Sequence, residues 1–103
     1  MIARSWHGRV PTAKADLYFQ YLQRTGLADY AGTPGNRGVF VLRRTDGDVT
    51  HYLLTTLWES LDAIKRFAGD DYERARYYPE DDDFLLEREP FVTHHDVLMA
   101  AYR

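Results

Sequence analysis

The sequence predicts one α+β domain, a four-stranded antiparallel sheet with helices on one of its faces. Apolar strand-like segments and helical segments follow one another in the order strand, helix, strand, strand, helix, strand. An Asp-Gly pair joins the two middle strands and is a strong signal for an antiparallel hairpin. With 103 residues, the whole of 1–103 is expected to form a single domain.

The first strand is predicted at residues 2–10. Ile2, Trp6 and Val10 have the same parity in this segment, so their side chains share one face of the strand. Arg4 lies on that same face. A covered guanidinium there needs a partner, either an acid from residues 80–83 or an anionic group of a substrate, and the sequence leaves both open.

A first helix is predicted from about Ala13 to Thr25, with Thr12 as its N-cap. Its apolar stripe consists of Leu17, Tyr18, Tyr21 and Leu22. Gly26 is expected to end the helix in a left-handed conformation. The Pro- and Gly-containing residues 31–38 then predict a loop.

The middle strands are predicted at residues 39–44 and 49–58, with the hairpin turn at 45–48. Neighbouring apolar residues in both strands point to opposite faces, so the sheet is apolar on both sides. The helices of one chain suffice for one face only. A second copy packing sheet against sheet is therefore the simplest cover for the other face, and a homodimer is expected.

The following segment is predicted as a short helix capped by Ser60 and ended by Gly69, with Leu61, Ile64 and Phe67 facing inward.

A second helix is predicted from Asp71 to about Tyr78, because Asp70 and Glu73 have the spacing of a capping box. Residues 80–83 are expected to be a solvated loop, and residues 91–101 a last strand. The resulting βαββαβ order is that of a ferredoxin-like fold with strand order 4-1-3-2, and the doubly apolar sheet makes it half of a dimeric α/β barrel.

Composition excludes several classes of function. The chain has no cysteine, which rules out disulfides and cysteine-ligated metals and fits a cytoplasmic protein. It shows neither a signal peptide nor an apolar run long enough to span a membrane. Residues 59–89 carry eleven of the sixteen acidic residues, so neither nucleic acid nor a membrane is expected as a partner.

Three segments, Leu57–Ser60, Phe67–Gly69 and Val92–Val97, resemble the antibiotic biosynthesis monooxygenase-like superfamily of dimeric α/β barrels. The resemblance covers nearly the whole chain. It implies a homodimer that binds a small molecule, and its members include cofactor-independent monooxygenases, haem-degrading enzymes and proteins without a known activity.

The haem-degrading branch of that superfamily implies an Asn on the first strand, a Trp that shapes the haem and a His that ligates iron. By spacing from Trp58, these positions fall near Arg4 or Ser5, on Phe67 and on Tyr77. All three identities differ here, so haem degradation is the less favoured alternative.

The monooxygenase branch implies a phenol that is deprotonated and then reacts with O2 in a dry pocket, without a bound cofactor. Such a pocket needs a group that handles the proton and a donor that stabilises the oxyanion. Arg4 and His51 are the candidate catalytic residues. The candidate residues for binding an aromatic or polyketide-like substrate are Trp6, Trp58, Phe67, Tyr72 and Tyr77.

Alternative interpretations stay open for these side chains. The aromatic residues either wall a pocket or fill a core, and the protein is then either an enzyme or a non-catalytic barrel that binds a ligand or a partner. The histidines His7, His51, His94 and His95 have no spacing that requires a metal ion, and no metal site is predicted.

Overall fold

The computed structural model describes residues 1–101, in which four antiparallel strands form one sheet and three α-helices lie on one of its faces. The strands are β1 (Ile2–Pro11), β2 (Asn36–Asp46), β3 (Val49–Trp58) and β4 (Thr93–Asp96). The helices are α1 (Ala15–Arg24), α2 (Gly26–Gly32) and α3 (Leu61–Ala68), with short 3-10 helices at Thr12–Lys14 and Pro79–Asp83. The sheet order β2-β3-β1-β4 confirms the predicted ferredoxin-like fold.

Strand β1 lies in the middle of the sheet. It pairs with β3 from Ile2 opposite Trp58 to Pro11 opposite Val49, and with the short β4 at its beginning. The β2–β3 hairpin turns at Gly47, whose φ of 59° is in the left-handed region that glycine adopts without strain. The hairpin predicted from the Asp-Gly pair is therefore confirmed.

The covered face of the sheet holds the core. Trp58 is completely buried, and its ring contacts those of Tyr30 and Phe67 at centroid distances of 6.3 and 5.8 Å. Its indole N–H donates to the Thr56 hydroxyl at 2.7 Å, so the one polar atom of the ring is satisfied. Trp58 is thus a core residue.

The opposite face of the sheet is open in the single chain. Phe40, Leu42 and Leu53 are 39%, 49% and 38% exposed there. The molecule is a slab of 36 × 34 × 21 Å, the dimensions of one sheet and one helical layer. The prediction that the helices of one chain cover only one apolar face of the sheet is confirmed.

Helix α3 begins and ends as its sequence predicts. The Ser60 hydroxyl accepts a hydrogen bond from the Ala63 N–H at 3.2 Å, and Gly69 ends the helix with a φ of 83°. No helix within residues 1–101 has the length and apolar character needed to cross a membrane.

The first helix differs from its prediction at both ends. Thr12 donates its hydroxyl to the Gly47 carbonyl at 2.8 Å instead of capping, and a 3-10 turn precedes α1. Gly26 is not left-handed; it is buried and begins α2. The Thr25 hydroxyl donates to the Tyr21 carbonyl at 2.7 Å, which satisfies a free carbonyl at the helix end and lets the chain turn directly into α2.

The helix predicted from Asp71 to Tyr78 is absent from the structure. The segment pairs instead with the residues before β4: Ala75 N–H donates to the Pro90 carbonyl and Val92 N–H to the Glu73 carbonyl, both at 2.9 Å. These bonds use the backbone groups that a helix would need. The last strand is accordingly shorter than the predicted 91–101.

Replacing Trp58 with alanine tests its assignment to the core. We expect Trp58→Ala to lower the free energy of unfolding by about 3–5 kcal/mol, because a fully buried indole leaves a cavity when it is truncated. Urea unfolding at fixed protein concentration measures the loss. Leu17→Ala, at a position 57% exposed on α1, is the control and should cost below about 1 kcal/mol. Equal losses in the two variants would contradict the assignment.

Candidate functional site

A cavity lies between the covered face of the sheet and the layer above it. Its volume is about 20 Å³, which is enough for one ordered water. Its walls come from β1, β3, the helical layer and residues 76–81. The lining residues are Arg4, Trp6, Tyr18, Leu22, Thr25, Gly26, Tyr30, Leu54, Phe67, Arg76, Tyr77, Tyr78 and Asp81.

Arg4 brings a positive charge into this cavity. The side chain is 2% exposed, and its Nη2 donates to the Arg74 carbonyl at 3.1 Å. Its Nε has no hydrogen-bond partner within residues 1–101. Burial lowers the pKa of Arg4, and the Tyr30 phenol partly opposes this change. Of the two partners left open for Arg4, an acid from residues 80–83 forms no ion pair with it, and no carboxylate within residues 1–101 neutralises its charge.

Two arginines of the wall, Arg4 and Arg76, contact the Phe67 ring and differ in their ion pairing. The guanidinium carbons of Arg4 and Arg76 lie 5.5 and 4.9 Å from the Phe67 ring centroid, within the range of cation–π contacts. Arg76 also pairs with the Asp29 carboxylate at 3.3 Å and donates to the Phe67 carbonyl at 3.2 Å. Arg76 is therefore neutralised by the protein, whereas Arg4 is not.

Trp6 and Tyr77 form the wall on the β1 side. The Trp6 indole N–H donates to the Tyr77 hydroxyl at 3.1 Å, and that hydroxyl donates to the Glu89 carbonyl at 2.5 Å. Gly8 makes room for the indole, since a Cβ at this position would lie 2.2 Å from the Trp6 ring. Burial raises the pKa of the Tyr77 phenol above an ordinary value that already keeps it protonated, and so a donor, at neutral pH.

Asp81 is the acidic side chain of the cavity wall. It is 4% exposed, and its carboxylate accepts a hydrogen bond from the Tyr78 N–H at 2.6 Å. Burial raises the pKa of Asp81, and burial together with this carboxylate raises the pKa of Tyr21 to about 12. The solvated loop predicted at residues 80–83 is therefore corrected: at Asp81 it turns inward, since Pro79–Asp83 forms a 3-10 helix whose first turn is held by that carboxylate.

The remaining predicted site residues lie elsewhere. Trp58 is in the core behind Phe67. Tyr72 contacts the His94 ring edge-on at 5.4 Å and lines a separate groove. His51 is on the open face of the sheet, where its ring bonds to His7. Arg4 and His51 thus point to opposite faces and do not meet at one ligand within a single chain.

Sequence reasoning missed Tyr30, Arg76 and Asp81 as parts of this wall. Tyr30 belongs to α2, which lies where a helix end and a loop were expected. Arg76 belongs to the segment that was expected to be helical. For Asp81 a local signal exists, because Pro79 followed by acidic residues is typical of the first turn of a helix.

The described part of the chain holds no group of three or more histidine or acidic side chains placed to bind a metal ion.

No protein-family model matches the sequence, and no curated protein matches it either. Solved structures do match its fold. One is a protein from Nitrosomonas europaea provisionally named an antibiotic biosynthesis monooxygenase, with a TM-score of 0.66 and 16% identity over 96% of this chain and 100% of that one. A similarly named protein from Bacillus cereus has a TM-score of 0.63 and 15% identity, covering 97% of each chain.

A third similar structure is MhuD, a haem degrader from Mycobacterium tuberculosis, solved with two haems bound in its active site. It has a TM-score of 0.66 and 18% identity over 99% of this chain and 100% of that one. At such identities the likeness establishes the fold alone. The resemblance to the antibiotic biosynthesis monooxygenase-like superfamily is confirmed at that level.

Replacing Arg4 with methionine tests whether its charge lacks compensation. We expect Arg4→Met to leave the free energy of unfolding within about 1 kcal/mol of the original or to raise it, because an uncompensated buried charge is removed while volume is kept. Arg4→Ala, which leaves a void, is the control and should cost about 2–4 kcal/mol. A loss as large in Arg4→Met as in Arg4→Ala, measured by urea unfolding, would mean that the guanidinium stabilises the fold.

Proposed function

We propose that the cavity binds a small planar aromatic molecule that carries an acidic oxygen, a phenolate or a carboxylate. The observation that carries this proposal is the buried Arg4 with its unpaired Nε in an aromatic wall. A buried guanidinium gains most from an anionic oxygen that completes its hydrogen bonds. Trp6, Phe67 and Tyr77 offer ring faces and edges to an aromatic body.

Binding requires the cavity to open, since its 20 Å³ holds only one water. Residues 76–81 form the part of the wall that lacks α-helix and strand. Their backbone makes few hydrogen bonds with the rest of the chain, so displacing them would break the side-chain bonds of Tyr77 and Tyr78 and no strand or α-helix. We propose that a ligand enters by moving Tyr77 and Tyr78 away from Arg4.

The chemistry we propose is cofactor-independent oxygenation of a phenolic, polyketide-like substrate. The substrate loses a proton, and the electron-rich ring carbon adds O2. The O–O bond then breaks as water leaves, so that CH2 plus O2 becomes C=O plus H2O and the substrate itself is oxidised. Arg4 stabilises the oxyanion, and Asp81, with its raised pKa, accepts the proton.

Two other functions are alternatives. Non-catalytic ligand binding is favoured by the closed state of the cavity, which holds no room for substrate and O2 together until it opens. Haem degradation ranks below both, because Phe67 and Tyr77 stand where the superfamily's haem-degrading members have Trp and His.

We also propose that the protein is a homodimer formed by its open sheet faces. Three strands of ten or eleven residues span roughly 33 Å by 14 Å, so two copies cover an area of about 1,000 Å², near the lower limit for a stable interface. Leu42 and Leu53 are the exposed apolar side chains that such a contact would bury. A cytoplasmic location is proposed from the absence of cysteine.

The proposed ligand chemistry is tested by calorimetric titration with 2-naphthoate, 1-naphthol and the uncharged 2-methoxynaphthalene. We expect 2-naphthoate to bind most tightly, and Arg4→Met to weaken it at least about tenfold, because the charge-assisted hydrogen bond is lost. Affinity for 2-methoxynaphthalene should change little. Equal losses for the charged and uncharged probes would contradict a role for Arg4 in binding the anion.

Oxygen uptake with anthrone, whose enol form is a phenol, tests the proposed reaction. We expect uptake of one O2 for each anthraquinone formed, and a fall in kcat of about a hundredfold in Asp81→Asn with KM little changed. Binding without oxygen uptake would favour the non-catalytic alternative. An unchanged kcat in Asp81→Asn would exclude Asp81 as the proton acceptor.

Sedimentation tests the dimer. Leu42→Glu should convert the protein to monomers, because a buried carboxylate in the middle of the contact has no partner. Leu17→Glu, at an apolar position on α1 that is 57% exposed against 49% for Leu42, should leave the dimer intact. A dimer that persists in Leu42→Glu and dissociates in Leu17→Glu would place the interface on the helices.

A further inference from the structure

Asp29 joins the irregular wall of the cavity to helix α2. Its carboxylate accepts a hydrogen bond from the Tyr78 hydroxyl and pairs with the Arg76 guanidinium at 3.3 Å. Arg76 and Tyr78 lie on either side of Tyr77, in the segment proposed above to move when a ligand enters. One side chain of a helix thus holds two residues of the segment 76–81. We call these two contacts the Asp29 latch.

The helix that carries Asp29 is fixed to the core. The next residue, Tyr30, is buried, and its ring contacts those of Phe67 and Trp58 at centroid distances of 4.6 and 6.3 Å. Moving α2 outward would break this aromatic cluster, which carries much of the buried apolar surface of the layer. Displacement of residues 76–81 therefore separates Arg76 and Tyr78 from Asp29.

The latch supplies the charged part of the hold on this segment. The Tyr77 hydroxyl bonds only to neutral groups, the Trp6 indole and the Glu89 carbonyl. Hydrogen bonds to an ionised group are roughly twice as strong as those between neutral groups. The side chains of Asp29 and Arg76 are 41% and 42% exposed, so water weakens the attraction between their charges without removing it. Opening the cavity thus costs the free energy of the latch in addition to the bonds of Tyr77.

An aromatic ligand cannot be bound while the latch is closed. The cavity holds about 20 Å³, whereas a cavity that takes up benzene measures about 150 Å³. The complex with an aromatic ligand must therefore have residues 76–81 displaced. When only the open form is competent to bind, the apparent dissociation constant is the intrinsic one divided by the open fraction.

We propose that Asp29 is a positioning residue that keeps the cavity closed and thereby limits how tightly the site binds its aromatic ligand. The inference rests on the proposed function, since it concerns entry into the same site. Removing the Asp29 carboxylate raises the open fraction of the free protein, and the apparent affinity rises by the same factor. Because the cost of opening is the same for every ligand, charged and uncharged aromatic molecules should gain equally.

Calorimetric titration with 2-naphthoate and 2-methoxynaphthalene tests the proposal. We expect Asp29→Ala to bind both probes at least about fivefold more tightly than the original protein, because both contacts of the latch are lost. Tyr78→Phe removes one hydroxyl only and should bind both at least about twofold more tightly. Asp16→Ala is the matched control, since Asp16 also lies on a helix and pairs with an arginine, Arg43, at 2.8 Å. Its affinity for both probes should be unchanged.

Amide hydrogen exchange of the ligand-free protein gives a readout that does not depend on binding. We expect residues 76–81 to exchange at least about fivefold faster in Asp29→Ala, while exchange in β3 keeps its original rate. A merely structural role of Asp29 would speed exchange in both regions and would not raise the affinity. If Asp29→Ala is too unstable for the comparison, Tyr78→Phe decides by the same two measurements.

The outcomes separate failure of this inference from failure of the proposed function. Unchanged or weaker binding of both probes in Asp29→Ala and Tyr78→Phe, with the original protein binding 2-naphthoate, overturns the latch and leaves the ligand proposal standing. Tighter binding of 2-naphthoate alone also overturns it, because Arg76, released from Asp29, would then pair with the ligand carboxylate. If neither probe binds to any variant, the proposed function fails, and faster exchange at residues 76–81 still supports the latch.

Discussion

The structure depends on a sheet that is apolar on both faces in a chain whose helices cover one. Burying apolar surface is the dominant favourable contribution to folding, so each face of such a sheet requires a cover. On the covered face, completely buried Trp58 and Ile64 anchor the helical layer. The last part of that layer, residues 76–81, has no α-helix or strand, and it forms one wall of the cavity.

Local signals in the sequence were reliable at two places and wrong at the ends of the first helix, where Thr12 bonds to the distant Gly47 and Gly26 begins α2. The hairpin turn at Gly47 and the cap at Ser60 each depend on neighbouring residues, and both were predicted. The helix expected at residues 71–78 failed because its backbone groups bond to residues 90–92, which are distant in sequence. A capping box contributes about 1 kcal/mol, and several long-range hydrogen bonds together with the burial that accompanies them outweigh it.

The candidate site could be predicted only in part for the same reason. Arg4 and Trp6 share a strand face by simple alternation, and Phe67 lies on the inward side of a well-marked helix, so their approach to one another followed from the fold. Tyr30 and Asp81 reach the cavity through α2 and a 3-10 turn, two elements that arise from the packing of the whole layer. Nothing in the spacing of these residues along the chain indicates that they line one cavity with Arg4.

The strand order has a consequence for how the protein forms during synthesis. Strand β1 leaves the ribosome first, but its two neighbours in the sheet are β3 and β4, at residues 49–58 and 93–96. Strand β1 can pair with β4 only after the chain has been synthesised as far as residue 96. Such high contact order slows folding, and meanwhile the apolar β2–β3 hairpin is complete and exposed. A chaperone that binds nascent chains would therefore encounter this exposed hairpin before β4 has paired with β1.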